Sequence, residues 1–324
     1  MTQRRLPLLD ALRGIALLAM GIYHLSWDLL WFGVVDWPVD TGMGWRAFAA
    51  AIAATFLFLA GVSLSLAHGG GIRWRPFWRR LLVIVAAAAA VSAGTWYVLG
   101  DGMVRFGILH AIAASSLVAL PFTRLHPAAA ALAGAGVLAL PALAAGPAFD
   151  GPLWLWTGLG DPGVASVDYV PLAPWTGATL LGVAAGLLLQ RARPLMMLAR
   201  RWQPGSRAGR LGVLAGRHSL AVYLLHQPVL FGSLWLLAAV HLIPDRASTD
   251  FLDNCSLTCA VSGVDEADCR AICRCTLTAM QADGLWSNLL RDPDNLSLRE
   301  DMNLRHQTCV LGETRPAQGQ TPAR

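Results

Sequence analysis

Long apolar runs alternate with short polar ones along this chain, and that alternation fixes its class before any single residue is considered. Seven runs, at about 11–34, 45–67, 80–99, 106–123, 128–148, 171–190 and 219–243, are each long enough to cross a hydrocarbon layer as a helix. Backbone groups find no water in such a layer, so helices that satisfy their own N–H and C=O groups are the expected form. The 324 residues are 55% hydrophobic and only 14% charged, too apolar for a soluble fold of this size. The expectation is an all-α, polytopic membrane bundle of about seven helices.

The connecting segments sort by charge. Arg4 and Arg5 precede the first run; Arg73, Arg75, Arg79 and Arg80 follow the second; Arg124 follows the fourth; seven arginines between 191 and 217 follow the sixth. The alternate connections carry Asp36 and Asp40, then Asp101, then Asp150, Asp161 and Asp168. Basic segments stay on the cytoplasmic side, which predicts a cytoplasmic N-terminus and an outer C-terminus. The chain has no lysine, so a lysine nucleophile or Schiff base is excluded. The net charge of +5 comes from arginines at the ends of apolar runs and gives no reason to expect nucleic acid. Residues 4–19 have the look of a signal peptide but lack a small-residue cleavage site, and the apolar run continues past His24. They read as a retained span.

That first span carries ionisable residues at two levels. Asp10 and Arg13 are three apart and can pair; His24 and Asp28 are four apart and share a helix face. Roughly 16 Å of helix separates Arg13 from His24. Charge inside a span is costly and marks a bundle interior, a cavity or a reaction path. With the predicted orientation, Arg105 and His110 of the fourth span and His226 and Gln227 of the seventh reach the same outer half as His24 and Asp28. A lone intramembrane histidine is usually structural, so the agreement in depth is the informative point. An imidazole there can relay an acyl group or deprotonate an acceptor. Asp28 can fix its tautomer, and Arg105 can neutralise an oxyanion or hold an anionic acceptor. His24, Asp28, Arg105, His110 and His226 are therefore the candidate catalytic set. The triple glycine at 69–71 lacks the lysine and strand–helix setting of a phosphate loop and reads as a turn. Arg73, Arg75, Arg79 and Arg80 read as topology signals, with phosphate binding as their second reading, and Trp74 and Trp78 read as interfacial residues.

From about 250 the composition turns polar, and all six cysteines lie there: Cys255, Cys259, Cys269, Cys273, Cys275 and Cys309. The C-x3-C-x9-C-x3-C spacing suits two disulfides stapling a helical hairpin on the oxidising side of a membrane. Zinc is the competing reading, weakened by the spacing and by His306 being the only histidine nearby. Six cysteines allow 15 pairings, and the spacing selects none. The expected domains are a membrane part at 1–246, a cysteine-rich outer extension at 247–311, and a disordered tail at 312–324.

The segments LDALRGIALLAMGIYHLSWDL, FLFLAGVSLSLAHG, RFGILHAIAASSLVALPF, PLAPWTGATLLG and GRHSLAVYLLHQPVL, in this order, resemble bacterial members of the heparan-alpha-glucosaminide N-acetyltransferase family. The likeness covers about 5–240. The first segment is also similar to the membrane acyltransferase-3 group, which shares the spacing of Arg13 and His24. The resemblance implies acetyl transfer across a bacterial inner membrane, from cytoplasmic acetyl-CoA to a glycan or small-molecule acceptor outside. It makes His24 the acyl carrier or base and puts Arg13, with Asp10, on the cofactor side. The cysteine tail is outside the family pattern. A homodimer stays open. So do two other readings of the same residues: a proton-coupled transporter, and a membrane scaffold that displays the tail.

Overall fold

The structure is a computed structural model, and it describes residues 6–240, 242–243 and 245–313. Arg4, Arg5 and the chain from 314 onward lie outside the described residues. Among those described there are thirteen α-helices and no strand beyond one isolated bridge, Phe106 with Tyr169. They are α1 (Pro7–Trp31), α2 (Met43–His68), α3 (Trp74–Leu99), α4 (Ile108–Ala119), α5 (Pro127–Ala144), α6 (Leu172–Arg191), α7 (Arg193–Arg201), α8 (Arg207–Arg217) and α9 (Ser219–Ala239). The cysteine-rich part adds α10 (Arg246–Val261), α11 (Glu266–Ala282), α12 (Leu285–Arg291) and α13 (Leu296–Glu313).

The protein is an all-α membrane protein, with one difference from the expected count. Six helices (α1, α2, α3, α5, α6 and α9) are long and apolar enough to cross a membrane, and α4 is shorter. The apolar run at 106–123 predicts a longer helix than forms. Pro121 lacks the N–H that would continue the α-helical ladder, and residues Pro121–Arg124 tighten into a 3-10 turn instead. At its start, α4 takes Gly107 as N-cap, and Asp168 Oδ2 accepts the Ile108 N–H at 2.9 Å.

The chain divides into two compact units: residues up to 25 with 38–229, and 26–37 with residues from 230 onward. In the first, α6 is the central helix, with half of its apolar window buried. It runs parallel to α2 in close contact. A Cβ on Gly182 would lie 2.0 Å from the Phe58 carbonyl oxygen, and one on Gly61 2.0 Å from that of Thr179. Only glycine permits this approach, the usual means by which membrane helices gain packing contact where lipid offers no hydrophobic drive. Leu64, Phe77, Leu81, Ile84, Leu109, Leu180 and Val183 form the core between α2, α3, α4 and α6. Short α4 still joins the two ends of this bundle. Its start meets Asp168 just before α6, and Arg124 beyond its end lies beside Gly71, just past α2.

The arginine-rich connecting segment after α6 is helical. Pro194 suits the first turn of α7, Pro204 and Gly205 interrupt the chain, and Ser206 Oγ caps α8 by accepting the Gly209 N–H at 3.0 Å.

In the second unit, three disulfides resolve the 15 pairings: Cys255–Cys273 and Cys259–Cys269 staple α10 to α11, and Cys275–Cys309 fastens α13 to α11. No cysteine is free. Leu277, Met280, Leu285 and Leu289 fill a small core with Phe251 and Trp286 against it. Phe32, Leu234 and Ala238 form a second cluster, and the Arg246 guanidinium stacks 3.3 Å from the Trp31 ring centre.

Candidate active site

The first half of α1 carries a charged station. Arg13 Nη1 pairs with Asp10 Oδ1 at 3.0 Å, as the i, i+3 spacing predicts, and Arg13 Nη2 donates to Ser63 Oγ on α2. Asp10 is buried, and its Oδ2 also faces Arg217 of α8 at 3.6 Å. The backbones make this possible: a Cβ on Gly216 would lie 1.8 Å from the Asp10 carbonyl oxygen, so α8 reaches Asp10 only because residue 216 is glycine. A carboxylate shared by two arginines holds both side chains in place.

Beside that station opens a cavity of about 1020 Å³, lined by residues of α1, α2, α3, α4 and α9. Arg13, Arg75, Arg79 and Arg80 line it together with Trp74, Trp78, Ile108, Ile112 and Tyr223. Arg75, Arg79 and Arg80 form no ion pair with an acidic side chain among the described residues. Arg13 and Arg80 are near enough for their charges to act on each other. Cations gathered this way favour a multiply charged anion, and the indoles offer stacking surfaces to a planar base. From sequence, Arg75, Arg79 and Arg80 read first as topology signals and second as phosphate ligands, and the tryptophans as an interfacial belt. Their spacing held a further signal: Arg75 with Arg79, and Pro76 with Arg80 and Ile84, repeat at helical intervals along one side of α3.

Tyr223 links the cavity to a histidine pair. Its carbonyl oxygen meets His226 Nδ1 at 2.5 Å, and the His226 and His24 rings stand edge-on with centres 4.9 Å apart. His226 Nε2 is buried with no hydrogen-bond partner among the described residues. With Nδ1 protonated toward that carbonyl, Nε2 keeps a free lone pair. Tyr23 packs against His24, ring centres 5.6 Å apart. Sequence reading missed Tyr223, Ser63 and Asp168. A tyrosine in an apolar run carries no signal of its own until the helix opposite is known.

The other expected residues are placed differently. Asp28, one turn beyond His24 on α1, is fully buried. His110 is engaged at the start of α4: its Nδ1 accepts the Gly107 N–H at 3.2 Å, and its Nε2 stands 3.5 Å from Ser92 Oγ. Arg105 donates to the carbonyls of Ala165 and Asp101, tying two loops together. Asp168 belongs to the same junction and lies within electrostatic reach of Tyr23 and Tyr223. Burial pushes its carboxyl above the usual carboxylate range, and the Ile108 amide works in the opposite direction.

Residues 5–228 match the family profile described as heparan-alpha-glucosaminide N-acetyltransferase, catalytic. The chain belongs to this family. The match takes in the charged station, the cavity and the histidine pair, and stops before the cysteine-rich helices of this N-acetyltransferase family member. No curated protein and no solved structure matches the chain. Membership in the heparan-alpha-glucosaminide N-acetyltransferase family implies a membrane acyltransferase.

Proposed function

We propose that the protein transfers an acetyl group from acetyl-CoA, bound from the cytoplasmic side, to a sugar or similar acceptor on the outer side of a bacterial inner membrane. The observation that carries this reading is the arginine-lined cavity whose lining includes Tyr223, the residue whose carbonyl oxygen meets His226 beside His24. Four arginines and two tryptophans fit the phosphates and adenine of a coenzyme A thioester, and Asp10 keeps Arg13 turned to that task. The donor supplies an activated acyl carbon with a thiolate leaving group.

In the proposed reaction His24 acts at the acyl carbon in one of two ways. As a base, it takes the acceptor's N–H or O–H proton while the new bond to the acyl carbon forms. The carbon–sulfur bond then breaks, and the proton passes to the departing thiolate. As a carrier, its ring nitrogen displaces the thiolate first and then gives the acyl group to the acceptor, whose proton goes to the thiolate. Asp28 steadies the imidazolium of either route, and His226 shields or relays its proton. Arg105 sits at the outer loops, where it is proposed to hold an anionic acceptor, and His110 supports the start of α4. Residues 247–311 form the proposed outer extension of a membrane part ending near 246.

The test is label transfer or thioester hydrolysis with acetyl-labelled coenzyme A and protein reconstituted in vesicles. Turnover should fall by roughly 10²–10⁴-fold in His24→Ala, the range of a lost acid–base group. Asp28→Asn should retain a reduced rate. Neither binding nor turnover in wild type, with both variants indistinguishable from it, would overturn the enzyme reading and favour transport.

A further inference from the structure

Two helices outside the proposed reaction path have an unusual division of residues. α7 and α8, with the link between them, carry Arg193, Arg200, Arg201, Arg207, Arg210 and Arg217, and residues 192–217 contain no Asp or Glu. Of these arginines only Arg217 forms an ion pair among the described residues. The same helices leave large apolar side chains uncovered: Leu195 and Leu198 on α7 are 58% and 67% exposed, and Leu211 and Leu214 on α8 are 66% and 51% exposed.

On α7, Leu195 and Leu198 lie about 60° apart around the axis, while Arg193 and Arg200 point to the opposite side. On α8, Val213 and Gly216 are buried, and Gly216 contacts α1, so Leu211 and Leu214 form the outward face. Exposed leucines on two short helices would be a liability in water. Crossing a membrane cannot explain them either, since α7 has nine residues and α8 eleven.

We propose that α7 and α8 lie in the plane of the membrane surface and bind anionic lipid headgroups. Leu195, Leu198, Leu211 and Leu214 dip into the acyl boundary, and the unpaired arginines collect the phosphates of the surrounding leaflet. Apolar area with a basic rim is what holds an interfacial helix to a charged surface. The charge selects the partner. A stretch with six arginines and no acid is complementary to anionic lipid, and an apolar protein partner would leave those cations without counter-charges. Docking of α8 on Asp10 through Gly216 gives the surface element a fixed place on the bundle. The inference stands apart from the acetyltransferase reading and does not depend on it.

The experiment uses the whole protein in vesicles of phosphatidylcholine, with and without phosphatidylglycerol. All native cysteines are in disulfides, so Leu198→Cys and Leu211→Cys each introduce one labelling site for a nitroxide, with Gly205→Cys in the link as the aqueous control. Expected are fast collisions with oxygen and slow ones with a water-soluble nickel chelate at 198 and 211, and the reverse at 205. Spin-labelled phosphatidylglycerol should associate in preference to spin-labelled phosphatidylcholine. That preference should fall by roughly fivefold for each arginine changed in Arg193→Gln, Arg200→Gln and Arg201→Gln, and should weaken with added salt. Chelate-accessible labels at both leucine positions would overturn the proposal, as would no lipid preference in wild type. Leu195→Cys gives a second depth reading should Leu198→Cys fail to fold.

Discussion

Asp168 shows how one side chain can matter to a site without belonging to its chemistry. Its Oδ2 accepts the first amide of α4, and that bond fixes where His110 and Ile108 begin. Burial raises its pKa, so the fold favours the protonated form: that stability is present below the unfolded pKa and is lost as pH rises through the folded one. Asp168→Asn keeps an acceptor oxygen and removes the charge. Thermal unfolding in detergent should show it as stable as wild type or more so near neutral pH. Asp168→Ala should lose roughly 0.5–2 kcal/mol, the usual value of a helix cap. Asp283 has the opposite sign. Arg305 donates to its Oδ2 from Nη2 at 2.6 Å and from Nε at 2.8 Å, which holds its pKa below the usual range. Its contribution is therefore complete above the unfolded carboxylate pKa and lost as pH falls through the folded value. A carboxyl titration by NMR should place the Asp283 midpoint below 3.8, and Arg305→Leu should return it upward.

At the scale of elements, the close contact of α2 and α6 is the tightest constraint on the bundle. Gly182→Val should destabilise it by about 1–3 kcal/mol or more, because the added carbons meet the Phe58 backbone and not a movable side chain. Urea or thermal unfolding of the variant in detergent tests this. Which helices form was largely legible in the sequence: apolar runs of sufficient length became α1, α2, α3, α5, α6 and α9. The exception, α4, turned on Pro121, whose missing donor outweighs an apolar run that continues to 123. The helices α7 and α8 were hidden because arginine-rich segments read as loops when charge is weighed before periodicity. The cysteine spacing predicted a stapled hairpin and could not choose partners, since Cys269 and Cys273 differ only in which turn of α10 they face. In the site, the Asp10–Arg13 pair was legible from local spacing. The approach of His24 to His226 and the role of Tyr223 in joining them to the cavity required tertiary packing, for which one sequence has no register.

For the whole molecule, α4 has a consequence that concerns the bilayer. Its twelve helical residues supply about 18 Å of apolar length, and the 3-10 turn roughly 8 Å more, against a hydrocarbon layer of about 30 Å. Leu117 and Val118 are exposed on α4, so lipid meets this shorter element directly. The surrounding leaflets must thin beside it, at a cost that rises with mismatch. Turnover should therefore decline as the acyl chains of the reconstituting phosphatidylcholine are lengthened, while equal turnover across the series would show that α4 is indifferent to its surroundings. Under the proposed function, a thinned patch beside α4 shortens the low-dielectric stretch over which the acyl group is passed. The proposed donor then remains at its own face while its reactive end extends only part of the way through.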